Sequence, residues 1–356
     1  RYDNFVNNGG KAKDRINILI VPGHDESSFG TQFRKIKEVD LNRQLAEHIE
    51  DVFLKEKAFD VMLTADTNGY NKKLEKYLDK EEVDIKEFEA FYKKTTAKLE
   101  NNGHITLDQE VFHNAASSDV VFTLYGINKF ANDEDFDIVI HIHFNDYPGR
   151  DLDQRGKYKG VSIYVPDTEF SNGRASREIA TSIFERLTTL FSRSTNPVEK
   201  SGVIEDSELI AVGAFNTLDP VSMLIEYGYV YQPEITNPEL RETVLREMAY
   251  QTFIGIKSYF DPNFVNKTNQ TLLIPYNWEI NLGIGGPQIK DVLALETLLK
   301  LDGFFPGNEK TLADCPVDGE FDVCTEDSLL RFQNNYGLKA TGVLDGSTRD
   351  FLNSIF

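Results

Sequence analysis

The chain is short of cationic charge, of cysteine and of long apolar runs, and each shortage closes off a class of function. Its 356 residues carry 38 lysines and arginines against 58 aspartates and glutamates, a formal net charge of -20. A protein that binds nucleic acid needs a basic face toward phosphate, so no nucleic-acid partner is expected. No stretch reaches the ~18 apolar residues of a membrane span, and the chain as given reads as soluble. The only cysteines, Cys315 and Cys324, offer no cluster for a structural metal site. Close together, they fit a disulfide in an exported protein; the alternative is two small buried hydrophobes. The sequence starts at Arg1 rather than Met, and residues 1–14 are polar. That stretch reads as an N-terminal tether, with any signal or anchor absent from this chain.

What is present points to an enzyme. Hydrophobic residues make up 40% of the chain, and its length suffices for two domains with cores of their own. Ile16 to Val21 is an apolar run of strand length. Pro22 and Gly23 stop it and leave His24 at its carboxyl end, the edge of an α/β sheet where ligands collect. Glu38 then opens an amphipathic helix with Leu41, Leu45, Ile49, Val52 and Phe53 on one stripe. Phe59 to Leu63 is the next strand, so the order implies a right-handed parallel crossover. Asp137 to Phe144 is a further buried strand carrying His141 and His143, followed by Asn145. His24 and Glu38 are metal-competent groups that can share one crevice, and the strand carrying His141 and His143 offers the third protein ligand that a zinc enzyme needs. Taken singly, these residues have plainer readings, as a core histidine and a glutamate favoured by a helix dipole.

Residues 66–118 lack strand character and are too long for an ordinary connection, so they read as an insertion of one or two helices. The insertion leaves from the edge that carries His24. Its carboxylates, Glu81, Glu82, Asp84, Glu87 and Glu89, are therefore candidates to reach the metal; the alternative is a solvated helical hairpin. Strands follow at Gly160–Val165 and Val221–Tyr229, with helices at Asn172–Arg193 and Pro238–Phe260. The alternation predicts an α/β fold, a mainly parallel sheet flanked by helices. Residues 263–283 read as a linker by composition.

Three motifs occur in order: Pro22-Gly23-His24 with Glu38, His143-Phe144-Asn145 at a strand end, and Leu224-Ile225-Glu226-Tyr227-Gly228. Together they resemble the zinc-dependent N-acetylmuramoyl-L-alanine amidases over residues 15–262. The resemblance implies a catalytic domain there, with Zn2+ held by His24, Glu38 and His143. Glu226 is then the catalytic residue, taking a proton from the attacking water and passing it to the leaving amine. The family usually has Ser where this chain has His141, which is expected to hydrogen-bond a ligand or the substrate. Asn145 is expected to fix the strand-end turn or touch substrate. His48, His104 and His113 read as ordinary surface or packing residues.

Residues 284–356 carry Asp318-Gly319, Leu330-Arg331-Phe332-Gln333, Tyr336-Gly337-Leu338 and Gly342 to Gly346. They resemble a small all-α, three-helix peptidoglycan-binding domain, lengthened between Pro306 and Pro316. The two resemblances together imply hydrolysis of the amide between the muramic acid lactyl group and L-Ala. They also imply peptidoglycan and a protein activator as partners, and an extracytoplasmic location. Two other readings stay open: a zinc peptidase cutting within the stem peptide, and a catalytically silent wall-binding scaffold.

Overall fold

The apolar runs form one six-stranded sheet in the computed structural model, which describes residues 1–106, 116–261, 264, 270–307 and 309–355. The strands are β1 (Ile16–Pro22), β2 (Phe59–Leu63), β3 (Ile138–Asn145), β4 (Ser162–Val165), β5 (Val203–Glu205) and β6 (Val221–Tyr229). Their spatial order is β2-β1-β3-β6-β4-β5. The first four run parallel, and β4 and β5 run the opposite way at one edge. Strand β5 is a three-residue addition that sequence reasoning does not anticipate.

Helices cover both faces: α1 (Glu38–Phe53), α2 (Lys72–Lys80), α3 (Glu82–Asn101), α4 (Ser118–Asp133), α5 (Gly173–Leu187) and α6 (Pro238–Phe260). One face of the sheet buries Ile18, Ile20, Ile140, Ile142 and Ile225 against Leu45, Ile49, Ile183 and Leu245 from α1, α5 and α6. On the other face, Leu19, Val21 and Val139 pack against Leu74, Ile127 and Phe130 from α2 and α4. Strand periodicity then places the chemistry. With Ile140 and Ile142 of β3 committed to the first face, His141 and His143 must lie on the second.

The expected insertion contributes α2 and α3, and three of its five named carboxylates pair with lysines. Glu81 pairs with Lys80, Glu82 with Lys86 and Glu89 with Lys93. Residues 107–115, His113 among them, lie outside the described residues. Val120 to Leu124 belongs to α4, whose N-terminus is capped by the Ser117 hydroxyl accepting from the Val120 N–H.

Three further helices follow: α7 (Lys290–Leu301), α8 (Val323–Asn335) and α9 (Gly346–Ile355). They enclose Leu295, Leu299, Phe332 and Leu352. The described part of residues 263–283 is packed rather than free. Leu273, Trp278 and Leu282 are buried, and the Trp278 indole donates to the Asp291 carbonyl at 2.9 Å. Cys315 Sγ is joined to Cys324 Sγ.

This helical unit meets α6 through the Asn237 side chain, which donates to the Gln288 carbonyl at 3.1 Å. Buried acids gather nearby. Glu296 accepts from the N–H groups of Asp318 (3.0 Å) and Gly319 (2.9 Å). Burial, then the charge of Glu234, pushes the Asp318 carboxyl up to about 7. Glu234 and Glu296 are raised too, by burial first. A carboxyl raised on folding stabilises the protein fully below its ordinary pKa of ~4, and that contribution is lost as pH rises through the folded value. Asp318→Asn is therefore expected to gain in Tm relative to the parent as pH goes from 5 to 8. Thermal melts of both proteins across that range check the sign; a relative loss would show the cause is misassigned.

Candidate metal centre

The centre forms where β1 runs out. The Gly23 N–H donates to the Ile142 carbonyl at 2.9 Å, and the Asn42 amide donates to the Gly23 carbonyl at 2.9 Å. A Cβ on Gly23 would sit 2.2 Å from the His143 ring, so glycine is what lets that imidazole pack over the turn. His24 follows with φ +70°, a left-handed conformation that non-glycine residues adopt sparingly. Strained backbone of this kind is found at functional sites when surrounding structure holds it. Gly30, at φ +75°, closes the other side; a Cβ there would lie 2.3 Å from Glu38 Oε2 and 2.5 Å from His24 Cδ2.

Glu38, 4% exposed, is the first residue of α1. Its Oε1 lies 3.0 Å from His143 Nδ1 and 3.2 Å from His24 Nε2. The carboxylate also accepts from the Phe144 N–H (3.3 Å) and the Thr31 N–H (2.9 Å). Burial raises the Glu38 carboxyl, but the bonds to His143 and His24 outweigh it and hold the group far below the usual carboxylate range. His24 shows the mirror effect: burial lowers it, Glu38 raises it more, and it ends above the ordinary imidazole value. One donor atom from each of the three residues lies within 4.8 Å of the others. Two imidazoles and one buried carboxylate, converging in a cradle that tolerates no side chain at Gly23 or Gly30, are a donor set suited to zinc.

Glu226 stands beside this set. It is the direct neighbour of His143 across β3 and of Ser162 across β4. Its Oε2 is buried without a hydrogen-bond partner. Burial, then the charges of Glu38 and Glu199, raises this carboxyl well above its ordinary value. A carboxyl shifted upward holds an accepted proton more readily than an ordinary one, which suits a group that takes a proton and passes it on.

Glu199 was not expected from the sequence. It ends a short turn, Pro197–Glu199, and is 2% exposed. Oε1 accepts from the Asn145 amide (2.9 Å) and the Tyr164 hydroxyl (3.0 Å), while Oε2 accepts from Ser194 and from Tyr229 at 3.4 Å. The Asn145 Oδ1 also accepts from the Asp146 N–H at 2.8 Å, so both ends of its amide are bonded. His141 lies on the His143 face and is buried, with Nε2 unpartnered. Burial, then proximity to His143, pushes it down to about 3, so the ring is neutral. It lines a cavity of about 620 Å³ that also touches His24, His143 and the first turns of α4. His48 meets Glu242 at the surface (3.1 Å), and His104 is exposed; neither joins the centre.

Residues 80–258, half of the chain, match the model of the N-acetylmuramoyl-L-alanine amidase family, and residues 288–352 match a peptidoglycan binding domain. The first match holds His143 and Glu226 and begins after His24 and Glu38. Among curated proteins, none matches the chain. Similar solved structures include an N-acetylmuramoyl-L-alanine amidase from Clostridium difficile 630, 17% identical, covering 70% of this chain and 98% of its own, with a TM-score of 0.43. The CwlD amidase from Clostridioides difficile, solved in complex with the GerS lipoprotein, is 18% identical, covers 70% and 100%, and scores 0.46. Ami1 from Mycobacterium smegmatis is 12% identical, covers 69% and 97%, and scores 0.44. On the match over residues 80–258, the chain belongs to the N-acetylmuramoyl-L-alanine amidase family.

Proposed function

We propose that amide hydrolysis by this chain depends on zinc held by His24, Glu38 and His143, with Glu226 as the proton-transfer residue. The observation that carries this reading is the convergence of those three donor atoms within 4.8 Å, with Glu226 as the next residue across the sheet. Bound there, Zn2+ would supply Lewis acidity to the scissile carbonyl and to the attacking water. The chain's own groups do the rest. Glu38 Oε1 stands between the two imidazoles, 3.0 Å from one and 3.2 Å from the other, so the three groups already face one point. Glu226 Oε2, desolvated and without a partner, accepts a proton from water and returns it to the leaving amine nitrogen. His141 Nε2 offers a hydrogen bond to substrate from the cavity wall. Asn145 holds the turn after β3 through Glu199.

The domain reading belongs to the same proposal: residues 1–14, which hold a helix at Tyr2–Asn7 with Tyr2 stacked on Phe260 instead of a free tether, then the catalytic domain over 15–262, a connection over 263–283, and a wall-binding unit over 284–356. The last would raise the local concentration of the enzyme on its polymer. Peptidoglycan as substrate places the action outside the cytoplasm, and among the described residues no helix is long and apolar enough to cross a membrane. A protein activator is retained as a partner that the family resemblance suggests.

Removing metal with a chelator is expected to abolish release of stem peptide from a soluble muropeptide, and added zinc to restore it. The new ends should be free muramoyl lactyl carboxylates paired with L-Ala amines. New amines within the stem would mark a peptidase, and full activity after chelation would remove zinc from the reading.

A further inference from the structure

The cavity beside the three donors has charge of a single sign at its mouth. Among its described lining residues the carboxylates are Asp25, Asp119 and Glu208, and none is a lysine or arginine. Asp119 and Glu208 are exposed, while Asp25 is fixed by accepting from the Ser27 and Ser28 N–H groups at 2.9 and 2.8 Å. The Arg43 guanidinium, on α1, is engaged by Glu26. Val121 and Leu124 of α4 give part of the lining an apolar character, and His141, also on the lining, is buried with an Nε2 that has no partner. The start of α4 brings a positive helix end to this place, worth about half an elementary charge. Three full negative charges outweigh it. The cavity therefore combines a hydrogen-bonding atom that lacks its bond with a mouth that repels anions.

The substrate has one part to which this matters. In uncut peptidoglycan the glycan around the scissile amide is uncharged, whereas the stem peptide bears carboxylates and the amine of its diamino residue. We propose that this cavity receives the stem peptide and selects stems whose carboxylates are amidated and whose diamino residue keeps a free amine. His141 Nε2 makes a hydrogen bond to the stem backbone, and Asp25, Asp119 and Glu208 act through charge at the mouth. The assignment rests on the amidase reading above, and it makes the departure at His141 part of substrate recognition.

The test uses the full, zinc-loaded chain and two synthetic muropeptides that differ only in amidation of the stem carboxylates. At low salt the amidated substrate is expected to show a kcat/KM about tenfold higher, the size that a few exposed like-charge contacts supply. Added salt should shrink the gap, because exposed charges are screened. The double variant Asp119→Asn, Glu208→Gln, both at exposed positions, should move the ratio toward one. Equal rates on the two substrates, preference for the free carboxylates, or an unchanged ratio in the double variant would each overturn the selectivity while leaving the amidase in place. Cleavage of neither substrate would overturn the amidase reading, and the selectivity with it.

Discussion

Glu226→Gln is expected to lower turnover by a factor of ~10²–10⁴ while the protein keeps its zinc, since that is the usual worth of one positioned proton-transfer group. The substitution keeps the volume and polarity of a side chain that sits beside His143 in the sheet. What it removes is the ability of Oε2 to take and return a proton. Stability should hold or rise. A carboxyl with one oxygen buried and unpartnered, raised by burial and by the charges of Glu38 and Glu199, is a cost to the folded state at neutral pH. An amide in its place carries no charge to desolvate. The diagnostic combination is therefore lost activity, wild-type zinc content and an undiminished Tm. Zinc analysis decides the role: a variant that had lost the metal would make Glu226 a ligand, and one that kept its rate would leave the proton transfer to another group.

The convergence of His24, Glu38 and His143 was legible in the sequence because strand periodicity and strand-end breakers act locally. Pro22-Gly23 had to end β1, so His24 had to lie at the sheet edge. The alternating apolar residues of β3 committed Ile140 and Ile142 to one face and left His141 and His143 on the other. Glu38 was readable as a helix start for the same reason. The parallel sheet and the helix Pro238–Phe260 follow from equally local patterns, the latter opened by proline and capped by the Asn237 side chain.

What escaped the sequence depends on contacts between distant segments. Glu199 follows Asn196-Pro197-Val198 and reads as a surface turn. Its burial comes from Asn145, Tyr164, Ser194 and Tyr229, which arrive from β3, β4, the loop before the turn and β6. No spacing announces that. The same holds for β5, whose three residues add to β4 only because β4 already has β6 on its other side. Asn145 was open between turn and substrate, and its bond to Glu199 is a contact between distant segments that the sequence did not announce.

His143→Ala should abolish metal binding rather than catalysis alone, and zinc itself provides the readout. A ligand that binds only the folded state raises stability by about 2.7 kcal/mol at a hundred times its Kd. The parent protein should therefore melt at a clearly higher temperature with zinc than after chelation. In His143→Ala that increment is expected to vanish, because even groups that only orient metal ligands typically cost 10–100-fold in affinity, and His143 is proposed as a ligand itself. Removal of the imidazole also takes from Glu38 Oε1 its 3.0 Å contact, leaving the contact from His24 and the bonds from two backbone N–H groups. The metal-free melt of the variant measures that loss separately. Glu38→Gln gives a second view, since it keeps the volume between the imidazoles and removes the only carboxylate of the three donors. A zinc-dependent rise in Tm that survived in both variants would place the metal elsewhere in the chain.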